Sequence, residues 1–368
     1  MKFKINQKDL LTHINLAQKA VSSRTTIQIL EGILFTAKDD TLRLIASDLE
    51  LVIDTKVPCQ VLEDGQIVIN ANMIANIVRK LPYDSDIYVN VVDDNINIKC
   101  QSSEFNIKGQ DPADFPSLPY IDESKDFTLD QKSLKDAIRK TSFAVSLDQT
   151  RPDLTGVLFN ILEEKIEFVG LDGYRVTRYE LEKKTGFTDK AIVPSRSLNE
   201  LMKILDQGEV KVSLISGNII FKFEDTEIYS RLIEGQYIDY NQVLSQGYST
   251  SVTLDTRSFQ EAIERASLMA KEDKANLVKL NFSNNQVHIS SNTEIGRVDE
   301  YVNCELGGKD IRIAFNAKYL LDGLRVIDDE DLSLYMSGSL KPLIFKPLNS
   351  TEYTYLVLPV KLAGEDND

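Results

Sequence analysis

Phe3-Lys-Ile-Asn-Gln-Lys-Asp-Leu10 opens the chain, and the pattern returns as Phe127-Thr-Leu-Asp-Gln-Lys-Ser-Leu134 and as Val252-Thr-Leu-Asp-Thr-Arg-Ser-Phe259. The three copies begin 124 and then 125 residues apart. In each copy, apolar residues first alternate, as in a strand, and then recur at helical spacing. A polar residue stands between the two parts, where it would cap the helix. The sequence therefore predicts a threefold repeat that begins with a strand and a capped helix, with the caps at Asn6, Asp130 and Asp255.

Each copy contains the same pattern a second time. Apolar stretches at residues 67–70, 191–194 and 311–315 each lead into another helical pattern, and further alternating strands follow. We predict an α+β fold with six helices in three tandem domains, each built from two strand-helix-strands halves. Proline and glycine in the stretches 111–119 and 245–249 indicate linkers. The predicted ranges are 1–120, 126–247 and 250–362, with an acidic tail at 363–368.

Composition excludes several classes of protein. The 368 residues include 57 acidic and 42 basic side chains, which give a net charge of −15. The three cysteines, Cys59, Cys100 and Cys304, are too few and too scattered for a disulfide framework. No leader-like or membrane-spanning apolar run is evident, so a cytoplasmic protein without a membrane partner is expected. With only two histidines, we predict no metal and no cofactor.

The basic residues are concentrated in the predicted helices. Together the six helices, taken as residues 8–20, 71–80, 131–144, 195–206, 256–271 and 316–326, carry a net charge of +8. The rest of the chain therefore carries −23. If the helices lie on one side of a curved sheet, that side attracts a phosphate backbone and the other side repels it. Helix propensity alone also favours lysine and arginine, so both explanations remain open at this point.

Four motifs, in order along the repeats, resemble a known family. They are Asp111-Pro-Ala-Asp-Phe-Pro116, Leu171-Asp-Gly-Tyr-Arg-Val176, Gly235-Gln-Tyr-Ile-Asp-Tyr240 and Leu356-Val-Leu-Pro-Val-Lys-Leu362. Across essentially its whole length, the chain resembles the bacterial sliding clamps, the beta subunits of the replicative DNA polymerase. The resemblance implies a head-to-tail homodimer, a closed ring of six domains with helices inside and sheets outside. The seam of the ring would involve Phe105, Ile107, Leu268 and Met269.

The resemblance also implies an apolar pocket between the second and third domains. This pocket would bind short peptides of the replicative polymerase alpha subunit, the clamp loader, other polymerases and mismatch-repair proteins. Arg175 or Asn316 would fix the peptide backbone or its glutamine. The implied pocket residues are Leu154, Leu171, Gly173, Arg175, Val176, Ile238, Val243, Asn316, Tyr319, Val357, Leu358, Pro359, Val360 and Leu362.

The chain departs from the family pattern at two pocket positions and at its end. Ile238 stands where the family has proline, and Gln242 stands where it has arginine. Both changes indicate a somewhat different peptide preference. The acidic tail at 363–368 either repels acidic peptides from the pocket or has no effect on it.

Duplex DNA is the remaining partner, encircled without sequence preference. The resemblance assigns contacts to Arg24 and Gln149, and helix charge assigns the others. The candidates are Arg24, Arg79, Lys80, Lys132, Lys135, Arg139, Lys140, Gln149, Arg196 and Lys203.

Two other classes of function compete with a clamp. An enzyme would need a catalytic motif, and none of the phosphate-loop, nucleophile-elbow or zinc-protease patterns occurs in the sequence. Its acidic runs, such as 328–331, are typical of solvated turns. We therefore predict no catalytic residues. A scaffold that binds only proteins is the second alternative, and it would not depend on closed DNA.

Overall fold

A computed structural model gives the fold of residues 1–22, 25–119, 123–245, 247–271 and 275–361. The α-helices are α1 (Gln7–Ala17), α2 (Ala71–Lys80), α3 (Gln131–Thr141), α4 (Ser195–Met202), α5 (Asn241–Leu244), α6 (Thr256–Ala270) and α7 (Ala317–Leu324). The strands are β1 (Lys2–Asn6), β2 (Gly32–Lys38), β3 (Thr41–Ser47), β4 (Leu51–Pro58), β5 (Gln60–Glu63), β6 (Gly65–Asn70), β7 (Asp86–Val92), β8 (Asn95–Cys100), β9 (Ser103–Lys108), β10 (Lys125–Asp130), β11 (Gly156–Ile161), β12 (Lys165–Leu171), β13 (Arg175–Glu182), β14 (Asp189–Pro194), β15 (Glu209–Ile215), β16 (Asn218–Phe223), β17 (Thr226–Arg231), β18 (Thr250–Asp255), β19 (Leu277–Ser283), β20 (Gln286–Thr293), β21 (Gly296–Asn303), β22 (Glu305–Gly308), β23 (Ile311–Asn316), β24 (Asp331–Met336), β25 (Leu343–Pro347) and β26 (Tyr353–Val357).

The six expected helices are present, and the described residues add the four-residue helix α5. Two of the predicted caps are confirmed: Asn6 accepts a hydrogen bond from the backbone of α1, and Asp255 accepts one from α6. Because the first amides of a helix have no partner within it, such caps fix where each helix begins. Helices α1, α3, α4 and α7 end earlier than expected, at Ala17, Thr141, Met202 and Leu324. The 3₁₀ turns Gln18–Ala20 and Ser142–Ala144 continue the first two.

The chain forms two compact units. Unit 1 contains Met1–Lys132 and Asn199–Leu232, and unit 2 contains Ser133–Leu198 and Ile233–Asp368. Every strand pair lies within one unit, and all the pairs are antiparallel. Unit 1 has sheets in the orders β5-β1-β7-β8-β9 and β10-β15-β16-β17-β4-β3-β2-β6. Unit 2 has sheets in the orders β14-β11-β12-β13-β26-β25-β24-β18-β22 and β21-β20-β19-β23.

In each unit one sheet joins two successive repeats. In unit 1, strand β4 of the first repeat pairs with β17 of the second. In unit 2, strand β13 of the second repeat pairs with β26 of the third. The register is the same in both, because the first residue of the later strand faces the fifth residue of the earlier one: Thr226 faces Thr55, and Tyr353 faces Tyr179.

Two strands lack the partner that this kind of joint would give them, one in the first repeat and one in the third. Strand β9 of the first repeat corresponds to β17 and β26, and strand β21 of the third repeat corresponds to β4 and β13. Within the part of the chain that the structure describes, β9 pairs only with β8 and β21 pairs only with β20. An edge strand offers unpaired backbone groups on its outer side.

The helices pack on the sheets through their apolar faces. Helices α6 and α7, for example, bury Phe259, Ile263 and Leu320. Gly323 of α7 has no room for a side chain, because a Cβ atom there would lie 2.2 Å from the ring of the buried Tyr355. This close approach sets α7 against strand β26. None of the helices in the described ranges is both long enough and apolar enough to cross a membrane.

Candidate functional site

A row of apolar side chains crosses the joint between the second and third repeats in unit 2. Five residues are successive partners across neighbouring strands β12, β13, β26, β25 and β24: Leu171, Val176, Leu356, Ile344 and Tyr335. Since partners in register point to the same face of a sheet, the row forms a continuous apolar strip. The strip exists only because β13 and β26 pair across the repeat boundary.

The segment 233–245, which precedes the third repeat, covers part of this strip. Ile233, Tyr237, Val243 and Leu244 are half-buried against the same apolar cluster. The Tyr237 hydroxyl donates a hydrogen bond to the carbonyl oxygen of Val169 at 3.0 Å. The buried members of the cluster are Leu154, Leu158, Val169, Leu171, Val176, Ile192, Tyr240, Ile344 and Leu356.

An open groove lies beside this segment. Val243, Tyr335 and Ile344 contribute to both the groove and the apolar cluster. Ile238 is 41% exposed and Leu358 is 37% exposed. These two side chains do not line the groove itself, but together with it they offer apolar surface to solvent beside a well-packed cluster, the usual character of a peptide site.

The C-terminal segment after β26 packs beside the turn at 171–176. The backbone N–H of Leu358 donates to the carbonyl oxygen of Tyr174 at 2.8 Å, and that of Val360 donates to Ala314 at 2.8 Å. The ring of Tyr174 stacks on Tyr319, with ring centres 6.0 Å apart. These contacts hold Leu358, Pro359 and Val360 beside the turn at 171–176, so the structure brings the predicted motifs together.

Arg175 is buried, and its guanidinium nitrogens already have partners within unit 2. Nε donates to Asp172 at 2.9 Å, Nη1 to Asp322 at 2.7 Å and Nη2 to the carbonyl oxygen of Phe143 at 2.9 Å. The guanidinium also lies 4.6 Å from the ring centre of Tyr319. Although burial opposes charge, the neighbouring Tyr355 and the carboxylates of Asp322 and Asp172 raise the pKa of Arg175 above its ordinary value. These contacts favour a role in shaping the site over direct binding.

Asn316 is engaged as well. Its side chain caps α7 by accepting a hydrogen bond from the N–H of Lys318 at 2.9 Å, and Asn276 donates to it at 3.3 Å. Its amide donors are the groups that a peptide carbonyl would use. Gly173 has a φ of +93°, a conformation that favours glycine, at the tip of the turn capped by Asp172.

The remaining predicted pocket residues differ in their surroundings. Leu154, Leu171, Val176 and Val243 lie in the apolar cluster. Val357 is fully buried but is not a member of this cluster, whereas its neighbour Leu356 is. Leu362 lies outside the described residues. Sequence reasoning missed Leu356, Ile344, Tyr335 and Tyr237. Side chains alternate between the two faces of a strand, and Leu356, the partner of Val176 on β26, is the residue on the face of the apolar strip.

The candidate DNA contacts differ in how available they are. Arg139 is bonded to Asp136 at 2.7 Å and also to Asp328. Lys140 is 15% exposed and pairs with Asp136 at 2.8 Å, and Lys203 pairs with Glu200 at 2.7 Å. Arg24 lies outside the described residues. The exposed candidates are Arg79, Lys80, Lys132, Lys135, Gln149, Arg196 and Lys203.

Two of the four seam candidates lie on the edge strand β9, and the other two lie on α6, which packs beside the edge strand β21. Phe105 and Ile107 are half-buried on β9, and both face buried partners, Ile98 and Ile96, on β8. Leu268 is 61% exposed on α6. Met269 lies beside β21, since a Cβ atom at Gly296 would be 3.6 Å from its sulfur. Each edge therefore has an apolar patch next to unpaired backbone.

Within the described ranges, no group of three or more metal-binding side chains converges, so the structure gives no support for a metal centre.

The comparisons with known proteins agree with the clamp interpretation. Three family models match in sequence: the N-terminal, central and C-terminal domains of the DNA polymerase III beta subunit, at residues 1–119, 128–239 and 241–361.

Relatives and solved structures match over nearly the whole chain. The beta sliding clamp of Halalkalibacterium halodurans is 35% identical over 379 residues, covering 98% of this chain and 100% of the relative. A crystal structure of a putative DNA polymerase III beta subunit from Eubacterium rectale is 36% identical, with a TM-score of 0.95 and coverage of 98% and 100%. The DNA polymerase sliding clamp of Bacillus subtilis is 33% identical, with a TM-score of 0.95 and coverage of 98% and 99%.

These matches define a DNA sliding clamp, a processivity factor that works with DNA and a DNA polymerase and catalyses no reaction. The chain belongs to the DNA polymerase III beta subunit family. The predicted fold class of three tandem clamp domains, the predicted function and the prediction that the chain is not an enzyme are thereby confirmed.

Proposed function

We propose that two copies of this chain close head to tail into a six-domain ring around duplex DNA. The observation that carries this proposal is the pair of open edges on β9 and β21. The strand pairing that joins the first repeat to the second, and the second to the third, is available once more between the third repeat of one copy and the first repeat of another. Two copies joined in this way leave neither β9 nor β21 without this partner, which is how a heterologous interface closes.

The repeated register specifies the seam. The first residue of the later strand faces the fifth of the earlier one in both joints within the chain. Applied to β9 and β21, this rule sets Ser103 opposite Glu300, Phe105 opposite Val298 and Ile107 opposite Gly296. Ile107 of one copy would then lie beside Met269 of the other, with Leu268 next to it. The four candidate residues thus form one apolar contact.

Engineered disulfides test this seam. Phe105→Cys combined with Val298→Cys sets two thiols directly opposite each other, so mild oxidation should yield a covalent dimer on a denaturing gel. Phe105→Cys combined with Asp299→Cys is the matched control, because a shift of one residue turns the second thiol to the other face of the sheet. Cross-linking of the control as fast as the test pair, or of neither, would overturn the register. The single variants correct for Cys59, Cys100 and Cys304.

The DNA contacts are proposed to be loose and shared among several exposed side chains. The main contributors are Arg79, Lys80, Lys132, Lys135, Gln149 and Arg196. Of the other candidates, Arg139, Lys140 and Lys203 already pair with carboxylates, and Arg24 lies outside the described residues. Phosphate contacts of this kind carry no sequence information and therefore permit sliding.

We assign the clamp to the cytoplasm, as expected for a replication protein of a bacterial cell.

The groove in unit 2 is proposed to dock short peptides with apolar ends from the polymerase alpha subunit, the clamp loader, other polymerases and mismatch-repair proteins. A labelled peptide that contains glutamine and ends in Leu-Phe serves as a probe. Val243→Arg should reduce its binding more than tenfold, because a charge would enter the apolar groove. Leu118→Arg is the matched control: Leu118 covers the corresponding apolar cluster in unit 1. Equal losses in both variants would contradict a site in unit 2.

A further inference from the structure

A buried polar network lies beneath the segment that covers the groove. Glu167 of β12 is 6% exposed, and its Oε2 accepts hydrogen bonds from the hydroxyl of Tyr240 at 2.5 Å and from the amide of Asn160 at 2.7 Å. Tyr240 and Asn160 are buried too, and the Asn160 amide also donates to the Tyr240 hydroxyl at 3.0 Å. The network therefore connects the floor of the sheet to the segment 233–245.

The other oxygen of Glu167 faces Lys165, two residues earlier on the same strand. Its Oε1 lies 3.1 Å from the ammonium of Lys165, which also pairs with Glu180 at 2.5 Å. Arg178 of β13 pairs with Glu180 at 2.7 Å. Burial tends to raise the pKa of Glu167, but hydrogen bonds from Tyr240, Asn160 and Lys165 outweigh it and hold that pKa below its ordinary value. Glu167 is therefore a charged acceptor, and hydrogen bonds to charged acceptors are the stronger ones.

Unit 1 has the same strand positions with a different arrangement. The third residue of β3 is Arg43 and the fourth of β4 is Asp54, where unit 2 has Glu167 and Arg178. Arg43 and Asp54 pair directly with each other, at 2.9 and 2.6 Å. The charges are thus exchanged between the units, and among the described residues only Glu167 in unit 2, not Arg43 in unit 1, has a hydrogen bond to the covering segment.

The covering segments differ in a matching way. Phe115 and Tyr240 each follow an aspartate and each stand twelve residues before the strand residue that opens the next repeat. Phenylalanine has no hydroxyl with which to bond a carboxylate, whereas Tyr240 has one and uses it. The anchor is therefore specific to the unit that contains the groove.

We propose that Glu167 is a positioning residue for peptide docking: by holding Tyr240 it orders the segment that carries Ile238 and Val243. This inference rests on the docking function proposed above. Ile238 is two residues from Tyr240, and Val243 is one helical turn beyond it in α5. Ordering this wall before a peptide arrives removes an entropy cost from binding, which raises affinity without a new contact.

Removing one hydroxyl tests the anchor. Tyr240→Phe should weaken binding of the labelled Leu-Phe peptide about tenfold, the size expected for one hydrogen bond to a charged acceptor. Tyr229→Phe is the matched control, since the hydroxyl of Tyr229 donates to Glu227 at 2.5 Å in unit 1. That variant should bind the peptide within twofold of the unaltered chain. Equal losses, or no loss for Tyr240→Phe, would overturn the proposal.

The conservative variant separates positioning from general destabilisation. Glu167→Gln retains an oxygen that accepts from Tyr240, so it should lose less affinity than Glu167→Leu. The double variant Glu167→Leu, Tyr240→Phe should lose little more than either single variant, because both remove the same bond. Additive losses would contradict an anchor formed by these two residues.

Hydrogen exchange gives a result that does not depend on the peptide. In Tyr240→Phe the amides of residues 237–245 should exchange about tenfold faster, with the other described segments unchanged. If the unaltered chain does not bind the peptide, the docking function fails, while exchange still decides whether the anchor orders the segment. Unchanged exchange at 237–245 would overturn the anchor itself.

Discussion

Arg175 of β13 and Asp322 of α7 form a buried ion pair, with Nη1 and Oδ2 2.7 Å apart and side chains that are only 6% and 18% exposed. The pair joins a helix of the third repeat to a strand of the second, and that strand also carries part of the apolar strip. The guanidinium is fixed further by Asp172 and by the carbonyl oxygen of Phe143. Arg175, which the family resemblance assigns to the peptide pocket, therefore also links the second repeat to the third.

The first prediction concerns this pair. Asp322→Ala should lower the stability of the chain by roughly 3 kcal/mol, because it leaves the buried Arg175 with one carboxylate fewer. Thermal unfolding at neutral pH measures the change. Asp328→Ala is the control: Asp328 is 68% exposed and pairs with Arg139, so its loss should cost less than about 1 kcal/mol. Equal costs would show that burial does not decide the contribution.

The second prediction concerns the seam. Leu268→Arg should weaken the dimer at least tenfold, since it introduces a charge into the proposed apolar contact of Phe105, Ile107 and Met269. Sedimentation velocity over a range of concentrations measures the dissociation constant. Leu147→Arg changes a leucine that is 89% exposed and lies outside the proposed seam, so it should leave the dimer intact. A stable dimer of the Leu268 variant would exclude α6 from the interface.

The third prediction concerns the exposed helix charges. Lys132→Ala should reduce the dependence of duplex binding on salt by about one unit of logarithmic slope at most, as expected for one phosphate contact among several. Lys211→Ala on strand β15 should leave the slope unchanged; this lysine pairs with Asp126 at 2.6 Å. Binding of a labelled duplex at several salt concentrations gives both slopes. A collapse of binding in the Lys132 variant would contradict loose, shared contacts.

The fourth prediction concerns acid. Burial alone would raise the pKa of Asp136, but hydrogen bonds from Lys140 and Arg139 hold the pKa below its ordinary value. Because the folded pKa lies below the unfolded value of about 3.9, this carboxylate stabilises the fold at neutral pH. The stabilisation is lost as the pH falls through the folded pKa. Melting temperatures of the unaltered chain and Asp136→Asn should therefore differ most at pH 7 and converge on acidification. Asp93→Asn, in an exposed turn, serves as the control, and a difference that grows in acid would refute the assignment.

Most of the fold was predictable, because each signal was local and repeated. Asn6 and Asp255 precede apolar residues at helical spacing, so their helix starts follow from the sequence. Because the pattern of strand, cap and helix occurs three times in the chain, each copy supports the prediction made for the other two. Helix ends were not predicted as well: the spacing of apolar residues does not distinguish the 3₁₀ turns at Gln18–Ala20 and Ser142–Ala144 from continued α-helix.

The site was predictable only in part, because side-chain partners come from distant segments. Motif resemblance led to Val357, whereas the pairing of β13, β26 and β25 sets Leu356 in the apolar row. Helix charge favoured Arg139 and Lys140 equally with Lys132, but Asp328 approaches Arg139 from a position 189 residues further on. The anchor formed by Glu167 and Tyr240 joins residues 73 apart, and no spacing rule signals it.

Retention on DNA of different topology tests encirclement most directly. The protein is loaded onto nicked circular plasmid by a bacterial clamp loader with ATP, washed in high salt and then assayed after the plasmid is cut once. A closed ring predicts retention that resists salt on the circle and disappears when the DNA becomes linear. Retention that high salt removes equally from circles and lines would contradict the ring and indicate ordinary electrostatic binding.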